Sequence, residues 1–297
     1  MNTERQYFSA MSNIFTPLVL DKIAINGYSP YLQEITENCR FLQCIDPELP
    51  LFHFFNTVYK ILFESYRSEY VYKNVLATTV LSSRHSLKNS SILSEFRVGK
   101  CKADMVVING TSTVYEIKSE YDSYRRLENQ INTYSQCFDK IYVVSSEKQI
   151  VNLLSILPNH VGIMTLTDQE AVSTIREAES NKHNIVAEVV FDSLRKSEYI
   201  TIIQAYYDRL PEVPNTRIHR VCKELYCRIP KDVAFELTLN VLRKRNNTSM
   251  LGSFVKDTSS KSLVAYAINN SNNPEKLNTI LDHLSRPTGN VLKSVKV

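Results

Sequence analysis

Two acidic residues and a lysine, Asp104, Glu116 and Lys118, have the types and spacing that catalysis of phosphodiester cleavage requires. Two carboxylates supply the hard oxygen ligands that Mg²⁺ prefers in proteins. A metal held there polarises a phosphate and lowers the pKa of a bound water. The lysine could orient or activate that water, or neutralise charge in the transition state. The alternative is an exposed hairpin with scattered charges, because acids and lysines are common on solvated strand faces.

Two short runs of β-forming residues would carry these side chains. Met105–Ile108 follows Asp104, and Thr113–Ile117 contains Glu116. The Asn-Gly-Thr-Ser sequence between the two runs is typical of a tight hairpin turn. Side chains alternate between the faces of a strand, so Glu116 and Lys118 point the same way. A hairpin about this turn would bring the aspartate close to both of them.

The order of these residues resembles the PD-(D/E)XK, or restriction-endonuclease-like, nuclease superfamily. In that superfamily an aspartate lies before or on one strand, and a Glu-x-Lys motif lies on the next strand, around a divalent metal. The matching residues here are Ala103-Asp104 and Glu116-Ile117-Lys118, with alanine where the motif has proline. Many members carry a Gln-x-x-x-Tyr motif on the following helix. It is matched here by Gln130 and Tyr134, which share a helix face.

The segment EIKSEYDSYRRLENQINTYSQCFDKIYVV resembles one bacterial branch of the superfamily more closely. In that branch Glu-Ile-Lys is followed by Asp-x-x-x-Arg-Leu-x-x-Gln and then by Phe-Asp before the next strand. The matching residues are Asp122, Arg126, Leu127, Gln130, Phe138 and Asp139. The resemblance extends over about half of the chain.

The resemblance implies a site that binds Mg²⁺ or Mn²⁺. Asp104 and Glu116 would hold the metal, and the backbone carbonyl of Ile117 would be a further ligand. Glu95, in the sequence SEFRVG of the expected first core strand, would assist them. Glu69, in the sequence SEYVYKN of the expected first core helix, would assist them too. The alternative is that Glu69 is an ordinary solvent-exposed residue of that helix.

The resemblance also implies roles for the remaining motif residues. Lys118 would act on the attacking water, and Gln130 and Tyr134 would shape the site or contact substrate. Tyr134 has a second interpretation, because it falls at helical spacing with Leu127 and Ile131 on an apolar stripe and could simply be a core residue.

Four basic residues are candidates for contacts with a nucleic acid backbone. Arg84 and Lys88 lie in the polar sequence SSRHSLKNSS, and Arg125 and Arg126 precede the motif helix. The alternatives are a solvated loop for the first pair and ion pairs with neighbouring acids for the second.

The apolar patterning predicts an α/β fold with a mixed central sheet flanked by helices. Helices are expected over 51–66, 70–81, 122–138, 147–157 and 169–179, and strands over 105–108, 113–117, 140–145 and 161–166. By resemblance this order is that of a restriction-endonuclease-like core, with helical N-terminal and C-terminal regions added. The expected division is a helical region over 1–60, the nuclease-like core over 61–195, and a helical accessory domain with a polar tail over 196–297. The predicted helices 216–227 and 231–245 could form a helix-turn-helix module that holds DNA.

The composition of the 297-residue chain is that of an ordinary globular protein, with 43% hydrophobic and 22% charged residues. No apolar run approaches the length of a membrane span, and the N-terminal sequence lacks the pattern of a signal peptide. We therefore expect a cytoplasmic protein without a membrane partner. The net charge of +4 permits nucleic acid binding without arguing for it.

The leading hypothesis is a divalent-metal-dependent deoxyribonuclease, a hydrolase that acts on DNA. Its biological role could be defence against foreign DNA, a toxin-like activity or repair. One alternative is a nucleic-acid-binding or regulatory protein that keeps the nuclease fold without cleavage. Another is a ribonuclease. Superfamily members that cut both strands often dimerise, so a homodimer is also an expectation of the resemblance, and a protein partner of unknown identity is a further one.

Overall fold

The structure is a computed structural model that describes residues 2–43, 45–82, 90–246, 251–257 and 259–292. The chain divides into two compact units. The first contains residues 1–84, 168–172 and 248–297, and the second contains residues 85–167 and 173–247.

The first unit is built mainly from helices. Numbered along the chain, they are α1 (Asn2–Ser12), α2 (Pro17–Asn26), α3 (Pro30–Asn38), α4 (Arg40–Gln43), α5 (Leu51–Ser65), α6 (Glu69–Ser82), α13 (Leu251–Lys256), α14 (Val264–Asn269), α15 (Pro274–Leu284) and α16 (Thr288–Leu292). The expected helices over 51–66 and 70–81 are present as α5 and α6. Phe54 and Phe55 of α5 are fully buried, and Phe15 packs edge-on against Phe55 with ring centroids 5.7 Å apart. Phe54 and Phe55 are therefore core residues.

No single helix of the described residues is long and apolar enough to cross a membrane. One bent pair, Arg5–Phe15 with Pro17–Asn26, meets the limits of length and composition together across a bend of 49°. Its apolar residues Met11, Ile14 and Leu20 are fully buried in the protein.

The second unit contains a six-stranded mixed sheet in which the strands follow chain order. They are β1 (Ser91–Val98), β2 (Cys101–Ile108), β3 (Ser112–Lys118), β4 (Lys140–Ser145), β5 (Gly162–Leu166) and β6 (Val172–Arg176). Strands β1, β2 and β3 pair antiparallel, whereas β3, β4 and β5 pair parallel. The parallel connections contain α7 (Leu127–Ser135) and α8 (Ile150–Ile156). The carboxyl ends of β3, β4 and β5 consequently meet at one edge of the sheet.

Four more helices share their core with this sheet. They are α9 (Ala187–Asp192), α10 (Lys196–Tyr207), α11 (Asn215–Tyr226) and α12 (Lys231–Arg243). One buried cluster contains Val106 of β2, Ile131 of α7, Ile202 of α10 and Leu242 of α12. The structure therefore does not divide the second unit at residue 196, where a separate accessory domain was expected. The reason is that α10 and α12 bury their apolar faces together with the sheet.

The other expected boundary, at residue 61, also differs from the division in the structure. Helix α6 belongs to the first unit, where the Tyr70 hydroxyl donates a hydrogen bond to the Ser262 carbonyl at 2.8 Å. The Asn74 amide donates to the Lys261 carbonyl at 2.9 Å. These long-range bonds join α6 to the C-terminal part of the chain, which local sequence patterns do not reveal.

The helix expected over 169–179 is wrong, because this segment contains strand β6. Its residues Val172, Thr174 and Ile175 are β-branched and favour an extended backbone. The preceding strand β5 supplies the pairing partner across a short connection, and this pairing overrides a weak helical pattern. The correction adds a sixth strand to the mixed sheet.

A buried ion pair in the second unit gives a testable stability prediction. Arg245 donates hydrogen bonds to both carboxylate oxygens of Glu198, at 2.6 and 2.5 Å, and the two side chains are only 9% and 10% exposed. Glu198→Ala would leave the guanidinium buried without its counter-charge, so we expect a loss of about 3–5 kcal/mol in the free energy of unfolding. Urea denaturation followed by circular dichroism measures the loss.

The matched control is Asp192→Ala, which breaks the exposed ion pair of Asp192 with Lys223 at 2.6 Å. Exposed pairs contribute at most about 1 kcal/mol. Equal losses in the two variants would contradict the structural role assigned to the Glu198–Arg245 pair.

Candidate active site

The hairpin of β2 and β3 brings Asp104 to the second motif. Gly110 adopts a positive φ of 92° in the turn, a conformation that favours glycine. Met105 pairs with Tyr115, so the next residues along the two strands, Asp104 and Glu116, are opposite each other. Asp104 Oδ2 accepts a hydrogen bond of 2.8 Å from the backbone N–H of Ile117. The aspartate therefore contacts the Glu-Ile-Lys segment directly.

Glu116 is the centre of a buried hydrogen-bond network. Its side chain is 2% exposed, and its Oε1 atom accepts from the Lys118 ammonium at 2.6 Å and from the Gln130 amide. Its Oε2 atom accepts from the Tyr134 hydroxyl at 2.8 Å. The four motif residues are thus in one connected group. Three donors compensate the cost of burying this carboxylate.

Local periodicity explains how this group forms. Glu116 and Lys118 are two residues apart on β3 and share a face of the sheet. Gln130 and Tyr134 are four residues apart on α7 and share a face of the helix. Since α7 connects two parallel neighbours, β3 and β4, it packs over the sheet and directs both side chains to Glu116.

Glu95 is the acidic residue of β1 that faces Asp104. The flanking pairs Ser94 with Met105 and Phe96 with Ala103 place Glu95 opposite Asp104. Carboxylate oxygens of the two residues lie within 4.8 Å of each other. Together with the β2–β3 register, this arrangement places three acids side by side on three neighbouring strands.

The backbone of Glu95 is strained. Its φ of 54° lies in the left-handed region, in the middle of a strand. Such a conformation costs on the order of 1–3 kcal/mol for a residue other than glycine, and it is concentrated at functional sites. The Glu95 carboxylate also forms an ion pair with Lys102, whose side chain is half exposed. Strain at an acid that faces Asp104 indicates a functional position.

The donor atoms of these residues fit a hard divalent cation. Glu95 and Asp104 supply carboxylate oxygens at close range, and oxygen is the ligand that Mg²⁺ and Mn²⁺ prefer. Glu116 has about four acceptor sites, of which three are used by its donors. The Oε1 atom of Gln130 is buried and has no hydrogen-bond partner among the described residues. An acceptor of this kind could receive a hydrogen bond from water or substrate.

Two predicted metal ligands remain, Glu69 and the backbone carbonyl of Ile117. Glu69 lies in the first unit, at the beginning of α6, where it is exposed and forms an ion pair of 2.7 Å with Lys73. For Ile117, the group that contacts Asp104 is its N–H. The metal-ligand roles of Glu69 and of the Ile117 carbonyl stay predictions.

The four basic candidates also differ in position. Arg125 and Arg126 are exposed on a short 3₁₀ turn, Tyr124–Arg126, immediately before α7. Arg84 and Lys88 lie outside the described residues. Phosphate binding by any of the four stays a prediction.

Two residues beside Lys118 were missed by the sequence reasoning. Ser145, the last residue of β4, pairs with Lys118 in the parallel register and donates a hydrogen bond of 2.6 Å to the Lys118 carbonyl. Tyr124 approaches Ser145 with a hydroxyl-to-hydroxyl distance of 3.3 Å. The only sequence signal for Ser145 is a polar residue at the end of an apolar strand, and it becomes informative only once the β3–β4 register is known.

Tyr134 gives a prediction about stability at alkaline pH. Burial, followed by the negative charge of Glu116 and the hydrogen bond to it, raises the pKa of the Tyr134 phenol far above its ordinary value. Above about pH 10 the unfolded chain releases this proton while the folded chain keeps it. The contribution of Tyr134 to the free energy of unfolding is therefore complete below pH 10. Above that pH it decreases by at most about 1.4 kcal/mol per pH unit.

We expect Tyr134→Phe to lose about 1.5–3 kcal/mol at pH 8, because a hydrogen bond to a charged acceptor is removed. Its stability should then decrease less steeply than that of the wild type between pH 10 and 11. Urea denaturation at each pH measures both effects, with the exposed Tyr206→Phe as control. Equal slopes for wild type and Tyr134→Phe would contradict the assigned pKa direction.

Comparisons with known proteins place the chain in a family. The profile of the bacteriophage P4 protein cII family matches residues 63–280. Protein cII of Enterobacteria phage P4 is 26% identical over 176 residues, which cover 57% of this chain and 62% of that relative. A protein of unknown function from Silicibacter pomeroyi is 16% identical and covers 45% of this chain and 89% of its own, with a TM-score of 0.31. Because the family profile matches well over half of this chain, the chain belongs to the bacteriophage P4 protein cII family.

Proposed function

We propose that this protein is a divalent-metal-dependent nuclease of the PD-(D/E)XK type that hydrolyses phosphodiester bonds of DNA. The observation that carries the proposal is the alignment of Glu95, Asp104 and Glu116 on three neighbouring strands. Lys118 lies on the same face of β3 as Glu116 and binds it. An exposed hairpin with scattered charges would not require a buried glutamate with three donors. The restriction-endonuclease-like fold is part of this proposal.

The proposed roles follow from the side chains. Glu95, Asp104 and Glu116 would hold Mg²⁺ or Mn²⁺, which supplies charge neutralisation at the phosphate and a water of lowered pKa. The Lys118 ammonium has three protons, and one of them is directed to Glu116. No other partner of this ammonium lies among the described residues, so its other protons would orient the attacking water or stabilise negative charge on the phosphate. Gln130 and Tyr134 would hold Glu116 in place.

The charge distribution supports a nucleic acid as the partner. Residues 195–245 contain 11 Lys and Arg and 6 Asp and Glu, a formal charge of +5, whereas the whole chain carries +4. A basic segment on the unit that contains the site suits a polyanionic substrate. Arg125 and Arg126 are exposed next to α7, which provides two residues of the site, and would contact the backbone of the same substrate. A cytoplasmic location, a homodimer and a role in defence against foreign DNA belong to the same proposal.

The experiment is a cleavage assay with matched DNA and RNA of the same sequence, single-stranded and double-stranded, in Mn²⁺ or Mg²⁺. We expect DNA to be cut, with 5′-phosphate and 3′-hydroxyl ends. Preferential cutting of RNA would replace the proposal with a ribonuclease. Binding of DNA without cutting in either metal would support the second candidate.

That second candidate is a nucleic-acid-binding protein that keeps the fold without cleavage. One observation favours it: three of the four acceptor sites of Glu116 are used by protein donors. Retention of the acid–lysine set favours the nuclease, because a binding protein has no need of a buried Lys118.

A further inference from the structure

The carboxyl ends of β3 and β4 are joined by a buried hydroxyl group. Ser145 lies beside Lys118 in the parallel register and is fully buried. Its hydroxyl donates a hydrogen bond of 2.6 Å to the backbone carbonyl of Lys118. This bond is additional to the strand pairing. It fixes the main chain at the residue that would perform the chemistry.

Tyr124 continues this contact towards the surface. Its hydroxyl lies 3.3 Å from the Ser145 hydroxyl. Because the single Ser145 proton is donated to Lys118, the Tyr124 hydroxyl must be the donor to Ser145. The phenol oxygen keeps its own lone pairs as acceptors. Burial raises the pKa of the Tyr124 phenol, and the hydrogen bond with Ser145 and the charge of Lys118 oppose that rise.

The loop after β3 is shaped to return Tyr124 to this point. Asp122 Oδ2 accepts hydrogen bonds from the Ser119 backbone N–H at 2.8 Å and from the Ser119 hydroxyl at 2.6 Å. These two hydrogen bonds close a tight turn directly after Lys118. Asp122 therefore organises the loop and is not one of the acids aligned on β1, β2 and β3.

We propose that Tyr124 and Ser145 are positioning residues for Lys118, acting as a relay of hydroxyl groups. Ser145 holds the Lys118 main chain, and Tyr124 holds Ser145. With the main chain fixed, the lysine stem begins at a defined point, and the ion pair of 2.6 Å with Glu116 holds the ammonium at its other end. The expected effect on turnover rests on the proposed function. The restraint of Lys118 by Ser145 and Tyr124 does not depend on it.

The test uses Ser145→Ala and Tyr124→Phe in the 297-residue chain. Two matched controls remove similar bonds elsewhere in the same unit. Ser193→Ala removes a hydroxyl bond of 2.6 Å to the Val190 carbonyl, and Tyr207→Phe removes one of 2.9 Å to the Leu225 carbonyl.

The first measurement is competitive acetylation of Lys118, quantified by mass spectrometry, and it needs no substrate. In the wild type this lysine is 11% exposed and should react slowly. We expect labelling to be about fivefold faster in both relay variants, the factor that corresponds to one lost hydrogen bond of about 1 kcal/mol. The two controls should label like the wild type. Unchanged labelling in the relay variants would overturn the proposal, whatever the protein cleaves.

The second measurement is steady-state DNA cleavage at varied substrate and Mn²⁺. We expect kcat to decrease by roughly tenfold to 10²-fold in the relay variants, with KM and the half-saturating Mn²⁺ concentration unchanged. A purely structural defect would change thermal stability and metal binding as well. Faster labelling together with an unchanged kcat would overturn the positioning role. If the wild type cuts no nucleic acid, the proposed function fails, and the labelling result still decides whether the relay holds Lys118.

Discussion

Asp104→Asn is expected to fold like the wild type and to lose metal-dependent cleavage by at least roughly 10²-fold, the scale of one lost preorganised electrostatic group. The asparagine keeps an oxygen that can accept the Ile117 N–H bond of 2.8 Å, so the hairpin contact survives. It lacks the negative charge that a hard cation requires beside Glu95. Single-turnover cleavage of plasmid DNA and calorimetric titration with Mn²⁺ measure the two effects.

Asp104→Ala serves as the comparison variant. It removes the charge and also the acceptor of the Ile117 N–H. The loss of this acceptor should lower the free energy of unfolding by about 1–3 kcal/mol. The control for charge alone is Asp192→Asn, an exposed acid of the same unit. Wild-type cleavage by Asp104→Asn at saturating Mn²⁺ would remove Asp104 from the metal site.

Lys118→Met is expected to bind Mn²⁺ and to turn over roughly 10²- to 10³-fold more slowly, a loss of about 2.7–4 kcal/mol of transition-state stabilisation. The same change leaves Glu116, which is 2% exposed, without its cation. Breaking a buried pair in this way costs about 3–5 kcal/mol of stability. Slower turnover alone would therefore not separate catalysis from unfolding.

The double variant Glu116→Gln, Lys118→Met separates the two effects. Both charges are removed, so the unfolding free energy should recover towards that of the wild type. Cleavage should stay as low as in the single variant or decrease further. A double variant that regains both stability and turnover would show that Lys118 has only a structural role.

The part of the site that depends on local periodicity was predictable from the sequence. The Asn-Gly turn sets the β2–β3 hairpin, and alternation along β3 puts Glu116 and Lys118 on one face. The spacing of four residues puts Gln130 and Tyr134 on one face of α7. The apolar stripe correctly indicated that Tyr134 is buried, and the structure shows that the same residue also binds Glu116.

The remaining features depend on pairing between distant segments. The position of Ser145 beside Lys118 follows from the parallel β3–β4 register, which no local pattern specifies. The left-handed backbone of Glu95 is maintained by the surrounding structure against its own preference. Strand β6 has a different explanation, because β5 lies close to it in the sequence. The acidic, weakly apolar pattern over 169–179 favours a helix, whereas the β-branched residues Val172, Thr174 and Ile175 favour the observed strand.

Dependence of cleavage on metal and on Asp104 is tested by single-turnover cleavage of supercoiled plasmid across a Mn²⁺ titration, by the wild type and by Asp104→Asn. We expect the wild-type rate to rise from zero to a plateau with metal, and the variant to stay near the background at every concentration. Cleavage by the wild type that is independent of added metal and resistant to EDTA, or equal plateaus for the two proteins, would contradict a metal-dependent nuclease built on Asp104.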